Sequence, residues 1–330
     1  MSRSLGWGLL GTARINRALI PAIRAASRSR LVGVASRTAD RAAAYAAEWE
    51  IATTYSSYEA MLADPAIDVV YIPLPNHLHV EWTLRAVAAG KHVLCEKPLA
   101  LTPQDVDRVA EAAAQKQVVV TEAFMYRHHP LTRQVVEMVA GGAIGTLRAV
   151  RGTFTFPLTR AGDVRLTPEW GGGSAWDVGC YPVSYARLLA KGEPIAVTAQ
   201  ARTGATGIDV GLAGTMQFPD GMLAAVDCGF DAHFRTYVEA AGTDGILAID
   251  TPFKPGEQAE VRLTRGDETT IVECAGAPLY LGEVEDVERA VLDGATPAMS
   301  LRDSRGNAAA LCALLQAARE ARRVTLAEIG

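Results

Sequence analysis

Gly6-Trp7-Gly8-Leu9-Leu10-Gly11-Thr12-Ala13-Arg14-Ile15-Asn16 is the stretch on which the fold turns. Gly6, Gly8 and Gly11 satisfy the pattern G-x-G-x-x-G, but that register leaves too little chain ahead of Gly6 to build a buried strand. Gly6 to Leu10 is itself the apolar run, so the turn begins at Gly11. Gly11 then makes the tight turn, Ala13 stands where a second glycine lets backbone approach a pyrophosphate, and Asn16 takes the third position inside the helix. Backbone N–H groups at this helix start, from Thr12 through Arg14 and Ile15, form a cradle for an anion.

Downstream, short β-branched runs alternate with stretches of helical period up to about residue 125, the signature of successive βαβ units. The spacing predicts strands at Gly6 to Leu10, Arg30 to Ala35, Val69 to Pro73, His92 to Cys95 and Val118 to Ala123. Helices are predicted at Ile15 to Ala26, Ala39 to Glu48, His79 to Ala89 and Pro103 to Gln115. Each strand is almost wholly apolar, as strands covered on both faces must be. The first domain, residues 1–125, is therefore an α/β Rossmann domain with a doubly wound parallel sheet.

Beyond residue 145 the pattern changes to longer alternating strands: Leu147 to Phe156, Ile195 to Thr203, Leu212 to Phe218, Met222 to Phe230, Tyr237 to Ala241 and Val261 to Thr264. Phe218-Pro219-Asp220-Gly221-Met222 reads as a hairpin turn. Strand runs with one internal and one terminal helix make residues 126–330 an α+β domain with a large, mostly antiparallel open sheet. An exposed outer face of that sheet offers a surface for a homodimer or homotetramer.

Composition narrows the function classes. The chain has 330 residues, 49% hydrophobic and 21% charged, with a net charge of -5. Basic residues are interleaved with acidic ones, so no stripe exists to neutralise nucleic-acid phosphates. No apolar run reaches the roughly 20 residues that span a bilayer, and the start shows no charged segment followed by an apolar one; both point to a cytoplasmic protein. The five cysteines form no C-x-x-C pair and read as small buried hydrophobes. His77, His79, His128 and His129 lack acidic or cysteine partners at zinc-ligand spacing, so no metal site is expected. Phe124 and Met125 read as core.

The second strand ends Ala35-Ser36-Arg37 where a site for NAD carries an acidic residue for the ribose 2′-hydroxyl. A hydroxyl at Ser36 and a guanidinium at Arg37, with Arg41 one helical turn on, fit a 2′-phosphate instead, favouring NADP over NAD. Two loops then fall at carboxyl ends of parallel strands, where such sheets bind ligands. One carries Pro73, Leu74, Asn76 and His79; the other carries Glu96-Lys97-Pro98. Lysine there can hydrogen-bond substrate and cofactor ribose, and its charge lowers the pKa of a neighbouring acid.

These residues carry a resemblance. Glu96-Lys97-Pro98 after a Rossmann turn, the segment Glu122 to Pro130 and the segment Gly171 to Pro182 together resemble the Gfo/Idh/MocA oxidoreductases over essentially the whole chain. The likeness is greatest to the branch with D-xylose 1-dehydrogenases, dimeric dihydrodiol dehydrogenases and glucose-fructose oxidoreductase. It implies that Lys97 stands beside the nicotinamide, that Tyr181 occupies the place of the catalytic tyrosine, and that Arg127 is the residue near the nicotinamide. Asp177, four residues before Tyr181, lies one turn away on the same helical face. A phenol titrates near about 10, so Tyr181 would need a cation such as Lys97 to act near neutrality. Arg165 and Trp176, with Asp177 and Tyr181, are expected to line a sugar pocket, and the glycines at 171–173 to let backbone approach the ligand.

The reading is an NADP-dependent dehydrogenase of an aldose, polyol or cyclitol. The alternatives are a glucose-fructose-type oxidoreductase that retains its nucleotide, which the missing export signal disfavours, and a non-catalytic NAD(P)-sensing protein, which needs no Lys97, Asp177 and Tyr181 set.

Overall fold

The computed structural model describes residues 4–160 and 162–330; residues 1–3, part of the reading of the chain's start, lie outside them. The chain divides into two units. One comprises residues up to Ala100, Gln104–His128 and Pro278–Ser304; the other comprises Leu101–Pro103, His129–Ala277 and Arg305–Gly330.

In the first unit β1 (Leu5–Leu10), with every residue buried, leads into α1 (Asn16–Ala25), and the alternation continues through β2 (Ser29–Ala35), α2 (Ala39–Glu48), β3 (Thr53–Tyr55) and α3 (Tyr58–Ala63). It then runs through β4 (Val69–Ile72), α4 (His79–Ala88), β5 (His92–Glu96), α5 (Pro103–Lys116) and β6 (Val120–Ala123). The strands form one parallel sheet in the order β3-β2-β1-β4-β5-β6. Strand order reverses between β1 and β4, so the carboxyl ends of these two strands open the crevice in which such sheets hold ligands. Sequence reading missed β3 and α3, because Thr53-Thr54-Tyr55 is too short to show a period.

The second unit contains α6 (Pro130–Ala140), β7 (Leu147–Thr155), α7 (Cys180–Ala190) and the strands β8 (Ala196–Thr203), β9 (Asp209–Gln217), β10 (Leu223–Gly229), β11 (Arg235–Gly242), β12 (Ile246–Ile249), β13 (Ala259–Arg265) and β14 (Glu268–Cys274). After α8 (Leu281–Asp293) and α9 (Leu301–Glu320), the short β15 (Val324–Thr325) closes one edge. The sheet has nine strands in the order β14-β13-β12-β11-β7-β10-β9-β8-β15, antiparallel at every pair except β7 with β10. Strict alternation in β10 buries Ala224, Val226 and Cys228 and turns Leu223, Ala225 and Asp227 outward.

A single cut between residues 125 and 126 does not describe this division. Pro278–Ser304, assigned by sequence to the second domain, belongs with the first. Val284 and Val287 of α8 enter the cluster formed by Leu19, Ile20 and Ile23 of α1, and Glu288 accepts from the Arg28 N–H at 2.9 Å and the Ser29 hydroxyl at 2.7 Å. The amphipathic α8 goes beyond the one internal and one terminal helix that the sequence pattern predicts for the second domain. All five cysteines are free thiols, and burial pushes Cys228 up to about 12, which leaves it unreactive.

Candidate active site

Gly11 follows β1 with φ +122, a conformation that side chains rarely adopt, and its N–H donates to Ala35 O at 2.9 Å. A Cβ there would press on the Leu74 side chain at 3.1 Å. Asn16, fully buried, donates from its side chain to Gly11 O at 2.9 Å, which explains a polar residue where glycine was anticipated: the amide clamps the turn that the helix must follow. Among the described residues, none of the N–H groups of Thr12, Ala13, Arg14 and Ile15 finds a backbone acceptor. These open donors at a helix start fit a pyrophosphate. Ser36 is buried at the end of β2, whereas Arg37 is exposed and Arg41 reaches the Thr12 hydroxyl at 3.5 Å. Burial raises the Tyr58 pKa against the opposing charges of Arg37 and Arg41, and the Tyr58 hydroxyl lies 3.8 Å from where a Gly11 Cβ would stand.

Lys97, half-buried after β5, is held through its neighbours. Tyr71 of β4 donates to Glu96 Oε1 at 2.6 Å, and Glu122 of β6 accepts from the Leu99 N–H at 2.9 Å. The Lys97–Pro98 peptide is cis. His79 sits with Nδ1 2.7 Å from Pro98 O and Nε2 2.7 Å from Leu74 O. These contacts tie the Pro73–Asn76 loop to the Lys97 loop, and a neutral ring donates its one N–H to only one of the two carbonyls. Burial lowers its pKa and the Lys97 charge adds to this, against two carbonyls that would each accept an N–H. Arg127 pairs with Asp303 at 2.6 Å, and nothing in the sequence pattern marks Asp303 as its partner.

Glu283 of α8 was also invisible to sequence reading. It is 1% exposed, and neither carboxyl oxygen has a hydrogen-bond partner among the described residues. Burial holds its pKa well above the carboxylate range, and Glu96 adds to the shift. An acid whose folded pKa exceeds its unfolded value costs nothing below the unfolded value and loses stability as pH rises above it. Glu283→Met is accordingly expected to stabilise the fold by about 1–3 kcal/mol near pH 8.5 and by less near pH 5. Thermal unfolding at both pH values checks this, and a gain that does not widen with pH would defeat it.

In the second unit Tyr181 opens α7 at 5% exposure, its ring 5.4 Å from Phe154 and 5.5 Å from Phe253. The preceding segment is helical but not α throughout: Ala175–Gly179 forms a π-helix, a local widening frequent at functional sites. Asp177 lies on it, close to one turn before Tyr181. Arg165 donates from Nε to Asp177 at 2.7 Å and from Nη1 to Asp163 at 3.1 Å. Burial works to lower the Arg165 pKa, but the two carboxylates outweigh it and hold the guanidinium charged. Trp176, 8% exposed, is mostly core, so the pocket wall expected of it is at most its edge. The glycine triplet is also explained internally. A Cβ on Gly172 would strike Arg165 O at 2.5 Å, and Gly173, at φ +124, leaves its Cβ space to the Asp209 carboxylate.

Residues 5–124 match the GFO/IDH/MocA description "Oxidoreductase family, NAD-binding Rossmann fold", and residues 132–248 match the GFO/IDH/MocA C-terminal domain. The chain belongs to the GFO/IDH/MocA oxidoreductases. Among members of this family, the D-xylose 1-dehydrogenase (NADP(+)) 2 of Haloferax volcanii is 40% identical over 303 residues, covering 90% of this chain and 92% of that one. A 3-ketoreductase from Actinomadura kijaniata, solved with NADP and TDP-benzene, superposes with a TM-score of 0.90 at 31% identity, over 96% of this chain and 98% of that one. An aldose-aldose oxidoreductase from Caulobacter crescentus, solved with glycerol, gives a TM-score of 0.91 at 27% identity, over 98% and 100% of the two chains. The GFO/IDH/MocA assignment makes the protein an oxidoreductase with a nicotinamide-dinucleotide fold, whose open helix start after Gly11 suits that ligand.

Proposed function

We propose that the protein is an NADP-dependent dehydrogenase of a free aldose or related polyol, with Lys97, Asp177 and Tyr181 as its catalytic residues. The observation that carries the substrate class is the Arg165 site. Its guanidinium is committed to Asp163 and Asp177, so one arginine faces two carboxylates and the surroundings are acidic. Such a wall suits the hydroxyls of a neutral sugar and opposes a diphosphate, which seeks uncommitted cations. The D-xylose dehydrogenase relative supports the same reading.

Residues 11–15 would hold the pyrophosphate, Ser36, Arg37 and Arg41 the 2′-phosphate, and the loops carrying Pro73, Leu74, Asn76 and Glu96, with Arg127, the nicotinamide end. The bound nicotinamide supplies or accepts hydride. Tyr181 Oη exchanges the proton of the substrate hydroxyl, Lys97 orients that hydroxyl and the ribose, and Asp177 with Arg165 grips neighbouring hydroxyls.

The test is absorbance at 340 nm with NADP+ or NAD+ and a panel of aldoses, inositols, dihydrodiols and dTDP-sugars. Reduction of NADP+ with a free sugar is expected; turnover confined to dTDP-sugars would favour the ketoreductase reading that the solved TDP complex suggests. Cofactor binding without turnover on any substrate would defeat the enzymatic reading. We also infer a homodimer or homotetramer through the outer sheet face, where Leu223 is 55% and Ile271 48% exposed. Light scattering of the purified chain decides this.

A further inference from the structure

We propose that Asp209 is a positioning residue for the reaction, fixing from β9 the turn that delivers Asp177 and Tyr181. Its Oδ2 accepts from the Ser174 hydroxyl at 2.6 Å and from the Ala175 N–H at 2.7 Å. Ala175 opens the π-helix, so one of the donors that every helix start leaves unpaired is satisfied by a residue from a distant strand instead of by a local cap. Oδ1 fills the space where Gly173 would carry a Cβ, 2.2 Å from that position, which fits the turn to this side chain and to no bulkier neighbour.

From there the connection to the proposed catalytic groups is short. Gly173 O accepts from the Asp177 N–H at 3.2 Å. On the far side, Ser174 Oγ lies 3.5 Å from Cys228 Sγ of β10, and Gly179 passes so close that a Cβ would stand 2.8 Å from the same sulfur. The π-helix is thus seated on two adjacent strands, and Asp209 is the polar half of that seat. Strands within a sheet are rigid supports, and small errors in aiming a reacting group cost rate out of proportion to their size. Burial raises the Asp209 pKa, and the hydrogen bonds donated by Ser174 and Ala175 oppose that rise.

Because this rests on the reading of Asp177 and Tyr181 as catalytic, the test separates the two. Asp209→Ala, Asp209→Asn and Ser174→Ala are compared with the unaltered chain by hydrogen exchange across residues 173–181 and by steady-state kinetics with NADP+ and D-xylose. The Ser174 hydroxyl and the Ala175 N–H both donate to Oδ2, a pair that the carbonyl oxygen of Asn can receive, whereas the backbone N–H groups of Asp209 and Ser174 also favour the full carboxylate. Asp209→Ala is expected to speed exchange in this segment and to lower kcat by about 10- to 100-fold with KM for D-xylose changed by less than about threefold. Asp209→Asn keeps the Oδ2 donations and should recover part of the lost kcat, ending at least about threefold above Asp209→Ala. Asn as damaging as Ala, or Ala with unaltered exchange, overturns the proposal. If Asp209→Ala fails to fold, Ser174→Ala decides: faster exchange over 173–177 supports the seat, and unaltered exchange removes it. If the unaltered chain oxidises no D-xylose, the exchange data still judge Asp209 while the substrate reading falls on its own.

Discussion

Tyr181→Phe is expected to lower kcat by about 10²- to 10⁴-fold and to leave coenzyme affinity and thermal stability nearly unchanged. The ring of Tyr181 is packed by Phe154 and Phe253, and Phe preserves those contacts while deleting the hydroxyl alone. Lys97→Met should fall in the same range. Its loop is fixed independently through Tyr71–Glu96, His79–Pro98 and Glu122–Leu99, so losing the ammonium does not release the backbone. Rapid-mixing measurement of coenzyme reduction, beside fluorescence titration with NADPH, separates lost chemistry from lost binding. If both groups act on one proton transfer, the double variant should be little worse than either single one. Turnover within about threefold of the unaltered enzyme in either single variant would remove that residue from the mechanism.

The parts of this site that could be read from sequence are those whose cause is local. Gly11 announces itself because a strand that is wholly apolar must end in a turn before a helix can start, and only one residue there tolerates the required φ. The loops at Pro73–Asn76 and Glu96–Pro98 follow from strand ends in a parallel sheet. Supporting groups were illegible because their cause is non-local. Asp209 and Ser174 are 35 residues apart, Arg127 and Asp303 are 176 apart, and α8 returns to α1 after more than half the chain has intervened. No periodicity encodes such pairings. His79 has a supporting place that sequence does not show: its ring lies 2.7 Å from the carbonyls of both Pro98 and Leu74 and joins the two loops that carry them. Gly172 and Gly173 also pack against Arg165 and Asp209, a reason for glycine that no local pattern shows.

Arg37→Ala is expected to lower kcat/KM for NADP+ by about 10- to 100-fold, the equivalent of one lost charge-assisted hydrogen bond of roughly 1.5–3 kcal/mol, and to leave that for NAD+ within about threefold. Arg37 is exposed at the end of β2, and Arg41 already leans toward Thr12, so removing either alone leaves one cation for the 2′-phosphate. The double change Arg37→Ala with Arg41→Ala should therefore exceed either single change. Ser36→Asp combined with Arg37→Ala should invert the preference, because a carboxylate at the buried Ser36 position accepts from a ribose hydroxyl but repels a phosphate. Salt provides an independent reading. The KM for NADP+ should rise with ionic strength in the unaltered enzyme, and that slope should flatten once the arginines are gone, since screened charge pairs are the origin of both. Equal loss for the two coenzymes would show instead that Arg37 supports the β2–α2 turn and not the phosphate.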